Sequence, residues 1–317
     1  MTDVIITRRN AILGAAAAPI VATAALSTTT AFAKAEMKGV SQLPYSRAKL
    51  GAFEITTVLD ATRSGPEPQK TFGMNVSAEE FEKVSTENFL TTEAAQFYFT
   101  PTVVNTGAEL VLFDTGLGGD NGGLVEAMAG AGYTPDQVDV VVITHMHPDH
   151  IGGLMAGGAP TFPNARYVTG STEYDFWTAQ GEDNRVGKMV GQLVKPLAEK
   201  FTFIKGGDSV VSGITAVEAF GHTPGHMNYM IESNGQQLLI AADLANHYVW
   251  SLAHPEWEVR FDADKAAAAA SRKKILGMVA AERIPMIGYH LPFPAMGFVE
   301  TRGSGFRYVP ASYQLKL

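Results

Sequence analysis

Residues 138–150, VDVVVITHMHPDH, constrain this chain more than any other stretch. Residues 140–144, VVVIT, are an uninterrupted β-branched run, which is typical of a strand. Three histidines and an aspartate follow within six positions, although the whole chain contains only 8 histidines. So dense a set of imidazole and carboxylate groups is hard to bury as ordinary core and unusual on a surface. The stretch therefore predicts a metal site where a strand ends.

The spacing inside this cluster separates two pairs of candidate ligands. His145 and His147 are two residues apart, so on an extended strand end both side chains point to the same side. Pro148 stops the strand, and Asp149 and His150 then lie on the turn, offset from the first pair. One cation is easily served by the first pair and a second cation by the other, while the two glycines that follow let the backbone turn closely behind the site.

Other candidate ligands also stand at strand ends. In GHTPGH, just beyond a predicted strand, either His222 or His226 could be the ligand. Asp243 ends the apolar run LLIAAD, which is an unfavourable place for a carboxylate that no cation compensates. His290 ends IPMIGYH in the same way. Ligands gathered at strand ends are typical of a site built on a layered scaffold of strands and helices.

The predicted strands fall into two groups, each followed by helical segments, which favours sheets packed together with helices outside. Ser77, with Glu80 three residues later, is the expected N-cap of one helix. Asp262 or Asp264 lies near the start of the last helix, and the basic tract SRKK within that helix is expected to be its solvated face. Besides the strands already named, we expect a strand at 51–60, a loop at 61–78, and helices at 77–90, 122–132, 171–200 and 262–282.

The first 35 residues differ from the rest of the chain in their composition and charge pattern. The pair Arg8 and Arg9 precedes a short alanine-rich apolar run, and AFA at 31–33 has the small-x-small form of a signal-peptidase site. We therefore expect a twin-arginine-type signal peptide at 1–33, a single catalytic domain at 34–317, and export to the periplasm or the medium. A membrane anchor is the alternative, but the run is short for a span and contains Pro19, so no stable span is expected after processing.

The amino-acid composition limits which metal ligands and which partners are possible. The chain has no cysteine, which excludes disulfides and thiolate metal sites, so a metal must be held by His, Asp or Glu. The 24 basic and 32 acidic residues give a net charge of −8, which argues against nucleic acid or an anionic membrane as a partner. Imidazole and carboxylate ligands suit zinc, iron, manganese or cobalt.

The ordered motifs THMHPDH, GHTPGH, AAD and GYH resemble those of the metallo-β-lactamase superfamily of metal-dependent hydrolases, over roughly residues 51–310. The resemblance implies an α+β fold, the four-layer αββα sandwich, and a homodimer. Asp114 in FDTG would then support the site without binding metal. The implied ligands are His145, His147 and His222 for one metal and Asp149, His150 and His290 for the second, with Asp243 as the bridge.

This ligand set implies two divalent cations per chain, for which zinc is the first expectation. An aspartate after the second histidine implies a hydrolase of esters, lactones, thioesters or phosphoesters, and Asp149 and Asp243 are assigned the catalytic role. Two neighbouring cations lower the pKa of a shared water molecule, so a bridging hydroxide is available near neutral pH to attack the substrate.

The C-terminal region resembles the methyl parathion hydrolase group, which includes dihydrocoumarin-type lactonases. That resemblance implies a small-molecule lactone or aryl ester as substrate, with organophosphate triester hydrolysis as a side activity. Aromatic side chains line the pockets of that group, so Trp177 and Phe293 are candidates for the pocket here. His247, four residues past Asp243, is a third candidate.

Three alternatives share these features. An acyl-homoserine lactonase would have the same metal ligands and differ in its acyl pocket. A glyoxalase II-type thioesterase or a nuclease belongs to the same superfamily, and the acidic balance disfavours the nuclease. A non-catalytic metal-binding module of the cell envelope would retain metal without turning over any ester.

Overall fold

The computed structural model describes residues 41–313, together with Met37, Gly39 and Lys316. The signal peptide expected at 1–33 lies outside these residues and stays a prediction. Within the described part, no helix is both long enough and apolar enough to cross a membrane.

Strands are the most numerous elements of the described chain. In chain order they are β1 (Tyr45–Leu50), β2 (Phe53–Val58), β3 (Ala61–Pro66), β4 (Ala94–Phe99), β5 (Thr102–Asn105), β6 (Leu110–Phe113), β7 (Val140–Ile143), β8 (Met155–Ala156), β9 (Ala159–Pro160), β10 (Arg166–Gly170), β11 (Phe201–Ile204), β12 (Ser209–Val211), β13 (Ile214–Glu218), β14 (Met227–Ser233), β15 (Gln236–Ala242), β16 (Met286–Gly288), β17 (Met296–Arg302) and β18 (Gly305–Pro310). The α-helices are α1 (Ala78–Glu87), α2 (Leu124–Gly130), α3 (Pro148–Ile151), α4 (Ser171–Thr178), α5 (Arg185–Leu193) and α6 (Lys265–Glu282).

Two seven-stranded sheets form the centre of the molecule. The first has the order β1-β2-β5-β6-β7-β10-β11, and the second runs in chain order from β12 to β18. In the first sheet β7 is parallel to both of its neighbours. In the second sheet β15 and β16 are parallel neighbours. Residues that follow parallel strands emerge at the same edge of a sheet, which is where the candidate ligands lie.

Alternate residues of β7 show how the layers stack. Val140 and Val142 belong to a hydrophobic cluster that includes residues of β14 and β15, so this face meets the second sheet. Val141 and Ile143 belong to another cluster with residues of α2 and α5. Residues of α6 pack on the second sheet. The layers are therefore helices, sheet, sheet and helix, which confirms the expected four-layer α+β sandwich.

The region expected to be a loop at 61–78 contains a strand instead. β3 pairs along its length with β4 in a separate two-stranded sheet. Its sequence ATRSGP contains few residues with a high β propensity, and four of its six residues are exposed. The sequence therefore lacks the alternation of apolar and polar residues that would have indicated a strand. The pairing with β4, some 30 residues later, stabilises the strand. β1 was also not expected, although β2 was.

Local sequence signals predicted the helix N-caps better than they predicted the strand β3. The side chain of Ser77 accepts a hydrogen bond from the backbone N–H of Glu80, which confirms it as the N-cap of α1. Of the two aspartates near the start of the last helix, Asp264 is the N-cap of α6, because its side chain accepts from Ala267 N–H. The side chain of Asp262 instead contacts His222, one of the candidate ligands.

Candidate metal centre

The structure brings all seven expected ligands together at the edges of the two sheets. His145 lies two residues after β7, Asp243 directly after β15 and His290 two residues after β16. The strand β7 ends at Ile143, before the point that was expected, and Pro148 begins the short helix α3 rather than closing a strand. Two groups have ligand atoms within 4.8 Å of one another: His145, His147, His222 and Asp243, and Asp149, His150 and His290.

The first group is a set of converging imidazole nitrogens. Nδ1 of His147 lies 3.0 Å from Nε2 of His145 and 2.9 Å from Nε2 of His222. The carboxylate of Asp243 completes the group, with Oδ2 at 3.2 Å from Nε2 of His222. Three nitrogens and one carboxylate oxygen at this separation match the ligand types and number of a zinc-type site.

The second group shares the same aspartate. Oδ2 of Asp243 is 3.2 Å from Nε2 of His290, and Oδ1 is 3.3 Å from Nε2 of His150. Oδ2 of Asp149 lies 3.3 Å from Nε2 of His290 and 3.5 Å from Nε2 of His150. The Asp243 carboxylate is therefore positioned between the two groups and contacts both.

Four of the histidines are held so that Nε2 is left for a cation. In each, Nδ1 faces an acceptor on the opposite side of the ring, which fixes the tautomer. The acceptors are Thr144 Oγ1 for His145 at 3.2 Å, Asp114 Oδ2 for His150 at 2.8 Å, Asp262 Oδ1 for His222 at 3.0 Å, and the Tyr98 carbonyl for His290 at 2.7 Å. Asp114 thus supports the site, as the resemblance implied.

The protonation of these rings follows from burial and from the carboxylates. Burial, reinforced by the neighbouring His222, lowers the pKa of His147 to about 3, so this ring is neutral at pH 7. Burial also disfavours charge on His222 and His290, but the carboxylates that face them outweigh it and raise their pKa values to about 9 and about 10. The carboxylates therefore attract positive charge to this pocket.

Two buried atoms test whether a cation fits. Nε2 of His150 and Oδ1 of Asp243 lie 3.3 Å apart but do not form a hydrogen bond, and within the described residues neither atom has another hydrogen-bond partner. Both side chains are at least 98% buried, and unpaired polar atoms at such depth are costly. Because both atoms point into the ligand cluster, coordination to a cation satisfies them, and the residues present fit a divalent metal.

The contacts of His226 show which of the two histidines in GHTPGH is the candidate ligand. Its Nδ1 donates to the carbonyl of Ala219 at 3.0 Å, and its Nε2 accepts from the backbone N–H of Asp243 at 3.2 Å. Both ring nitrogens are therefore used by the backbone. His226 positions Asp243, and His222 is the residue that joins the cluster.

Glu173 ties two ligand-bearing loops together, a role that the sequence did not indicate. This fully buried carboxylate accepts from the N–H of Met146, between two ligands, and from Thr223 Oγ1 and Gly225 N–H, next to His222. Burial raises its pKa although these hydrogen bonds oppose the shift. No local pattern identifies such a residue, because the ligand-bearing loops that it binds lie 27 to 52 positions away.

Arg272 corrects the expectation that the tract 271–274 is a solvated face. Its side chain is only 1% exposed, and Nη1 lies 2.8 Å from Oδ2 of Asp262. The guanidinium also donates to the carbonyls of Pro255 and Trp257. A buried chain of contacts thus runs from Arg272 through Asp262 to His222.

A cavity of about 690 Å³ opens onto the metal centre. His147, Asp149, Asp243 and His290 lie in its wall, so ligands of both groups are accessible from it. Its other side is formed by β3, β4 and the segment before α6. An apolar face of Phe97, Phe99 and Phe261 belongs to this side.

The three side chains expected to line the pocket do not line this cavity, which corrects that expectation. Trp177 packs in the helix-side core and donates its indole N–H to Glu173 at 2.7 Å. His247 is buried, stacks on Trp250 at 4.0 Å and accepts backbone N–H groups through Nδ1. Phe293 lies outside the lining, beside Pro294. The actual aromatic wall comes from β4, for which no strand was expected, and from Phe261 before α6.

The profile of the metallo-beta-lactamase superfamily matches residues 100–286, which is more than half of the chain. The chain belongs to this superfamily. The match includes every ligand of the cluster except His290, and the four-layer sandwich agrees with it. The ligand cluster and the family match therefore agree.

Solved structures of other superfamily members resemble it over most of its length. AidC, a dizinc quorum-quenching lactonase, superposes with a TM-score of 0.77 at 27% identity, covering 85% of this chain and 98% of that chain. The hydrolase AbOPH gives a TM-score of 0.79 at 24% identity, covering 87% and 100%, which shows the common fold.

Curated superfamily relatives match over shorter regions. The N-acyl homoserine lactonase AttM of Agrobacterium fabrum is 29% identical over 138 residues, which are 39% of this chain and 47% of AttM. The uncharacterized protein YobT of Bacillus subtilis is 30% identical over 140 residues, 43% of this chain and 57% of YobT. The chain thus spans about half the length of these relatives.

Proposed function

We propose that this protein hydrolyses lactones and aryl esters with two divalent cations, most simply zinc. The observation that carries the proposal is the position of Asp243, whose carboxylate contacts both ligand groups. A carboxylate shared in this way is what a two-cation site requires of its bridging ligand. The dizinc centre named for AidC supports zinc as the metal.

The roles of the residues follow from the geometry. His145, His147 and His222 would hold one cation, and Asp149, His150 and His290 the other, with Asp243 between them. Bound cations supply a water molecule of lowered pKa and a Lewis acid for the carbonyl oxygen of the ester.

The supporting residues keep the ligands in place before substrate arrives. Asp114 and Asp262 fix the orientation of His150 and His222. The phenylalanines of the cavity offer an apolar surface to the aryl or acyl part of a substrate and reduce the water around the ester.

An acyl-homoserine lactone is the second candidate substrate. It is favoured by the similarity to AidC, which is named as a quorum-quenching lactonase, and to AttM, which is named as an N-acyl homoserine lactonase. Organophosphate triester hydrolysis remains part of the proposal as a side activity. A homodimer and export also stay predictions.

Metal content and substrate rates test the proposal together. For the purified protein we expect two metal ions per chain by mass spectrometry of the metals, and hydrolysis of dihydrocoumarin faster than that of methyl paraoxon. A faster rate on N-hexanoyl-homoserine lactone would favour the second candidate.

His290→Ala should remove one of the two metal ions, because it takes one of three ligands from the second group. Activity should fall by more than about a hundredfold, which is the largest loss typical of residues that only support a metal ligand. His254→Ala is the control, since this partly exposed histidine stacks on Trp257 away from the cluster. Full activity of His290→Ala with one metal per chain would refute the two-cation mechanism, and bound metal without turnover of any ester would favour a metal-binding module.

A further inference from the structure

Three arginines stand in the wall of the cavity that opens onto the metal centre: Arg63 on β3, Arg185 at the start of α5 and Arg260 shortly before α6. They come from three separate parts of the chain. Three positive charges in one cavity are unexpected for a protein with a net charge of −8. A cleft lined by charge of one sign concentrates ligands of the opposite sign.

Two of these guanidinium groups are held over rings of the cavity wall. Cζ of Arg63 lies 5.9 Å from the centroid of Phe99, and Cζ of Arg260 lies 5.1 Å from that of Phe261. Such stacking limits the freedom of an arginine and leaves the edge of its guanidinium, with the N–H donors, for a ligand.

Phe99 connects Arg63 to the metal centre. Its ring meets that of His290 edge-on, with the centroids 5.3 Å apart. One phenyl ring therefore separates the Arg63 guanidinium from a candidate metal ligand. A substrate of moderate length can reach both the arginine and the cations.

Arg185 is the first residue of α5, where Asn184 caps the helix through Val186 and Gly187 N–H groups. A cation at a helix N-terminus opposes the helix dipole and costs stability, so the helix itself gives no reason for an arginine here. Its side chain adds positive charge to the same cavity wall.

Within the described part of the chain, no carboxylate neutralises these groups. Among the residues that the structure describes, none of the three guanidinium groups lies within 4.0 Å of a carboxylate oxygen. Glu67, the cavity acid outside the metal centre, is instead paired with Lys70 at 2.7 Å. The outer wall therefore presents positive charge that an incoming ligand can meet.

We propose that the cavity selects esters or lactones that carry a carboxylate away from the bond that is cleaved. Arg63 and Arg260 bind the carboxylate, Arg185 adds attraction, and the ester carbonyl lies at the metal centre. Water adds across the acyl C–O bond, so the leaving oxygen gains a proton and the acyl carbon becomes a second carboxylate. The distal carboxylate does not react. This inference rests on the proposed hydrolase function and names its substrate class.

A matched pair of substrates tests it. Mono-4-nitrophenyl adipate and 4-nitrophenyl hexanoate have the same chain length and leaving group and differ by the distal carboxylate. We expect kcat/KM to be higher for the adipate, and sodium chloride to reduce this preference. Arg63→Gln and Arg260→Gln should each reduce the preference about fivefold, the effect of an exposed ion pair, and the double variant more. Lys188→Gln, an exposed charge on α5 outside the cavity lining, should keep it.

Binding provides a readout that does not depend on turnover. By calorimetry, the protein as purified should bind adipate more tightly than hexanoate, and Arg63→Gln/Arg260→Gln should lose that difference. Equal kcat/KM values for the two esters, or a preference that survives in the double variant, would overturn the inference and leave the hydrolase function standing. If neither ester is cleaved, the proposed function fails, and the calorimetric difference alone decides whether the arginines recognise a carboxylate.

Discussion

At the scale of single residues, the metal centre depends on side chains that never face the cavity. Arg272 is one of these, since it contacts Asp262, which in turn holds His222. Replacing one member of a buried ion pair leaves the other charge uncompensated, which costs about 3–5 kcal/mol. Loss of a residue that orients a metal-binding histidine typically weakens metal affinity about 10- to 100-fold.

Arg272→Met should therefore lower both the free energy of unfolding, by about 3–5 kcal/mol, and the metal content after dialysis. Urea unfolding and metal analysis measure the two effects. Lys274→Gln, two positions along the same helix and exposed, is the control and should change neither. An Arg272→Met protein that keeps its metal and its unfolding midpoint would show that Asp262 orients His222 without help.

Individual residues of the site also differ in whether the sequence alone could predict them. Six of the candidate ligands could be proposed because their spacing and their positions at strand ends are local properties, whereas the choice of His222 over His226 came from the resemblance to a known family. Glu173 and Arg272 could not, since each acts on partners at least ten positions away that only the folded chain brings near. The pocket residues were missed for the same reason, because the cavity wall depends on the pairing of β3 with β4.

At the scale of elements, the short helix α3 is placed by backbone contact with the loop after β6. A Cβ atom added to Gly152, directly after α3, would lie 2.2 Å from the carbonyl oxygen of Leu117. No side chain fits at that distance, so the glycine allows α3 to approach the loop and carry Asp149 and His150 to the centre. This agrees with the expected role of the two glycines that follow the ligand cluster.

Gly152→Ala should shift α3 and cost about 1–3 kcal/mol of stability, the usual range for overpacking. Because two ligands of the second group are on α3, the variant should also bind less than two metal ions per chain. Gly191→Ala is the matched control: that glycine is in α5 with open space around it, so alanine should be neutral or stabilise by up to about 1 kcal/mol. Two metal ions and unchanged stability in Gly152→Ala would mean that the loop yields to the extra methyl group.

At the scale of the whole molecule, the centre joins the two sheets. Its ligands come from the segments after β7 in the first sheet and after β13, β15 and β16 in the second. The two-sheet order could be expected from the grouping of strands along the chain, but the meeting of four segments at one edge required the resemblance to a known family. Cations bound there connect both halves of the core, so the metal should contribute to the stability of the entire fold.

Removal of metal by a chelator should therefore lower the melting temperature. A ligand present at a thousandfold excess over its Kd stabilises a protein by about 4 kcal/mol, which for a chain of this size corresponds to about 10 °C. The direction follows from the carboxylates of Asp149 and Asp243, which both face His290 in the same pocket and would lose the cations that compensate their charge. Differential scanning calorimetry before and after chelation measures the shift, and added zinc should restore it. His290→Ala, with one cation fewer to lose, should show a smaller shift. An unchanged melting temperature after verified loss of metal would mean that the hydrogen bonds of Asp114, Asp262 and Glu173 hold the two sheets together by themselves.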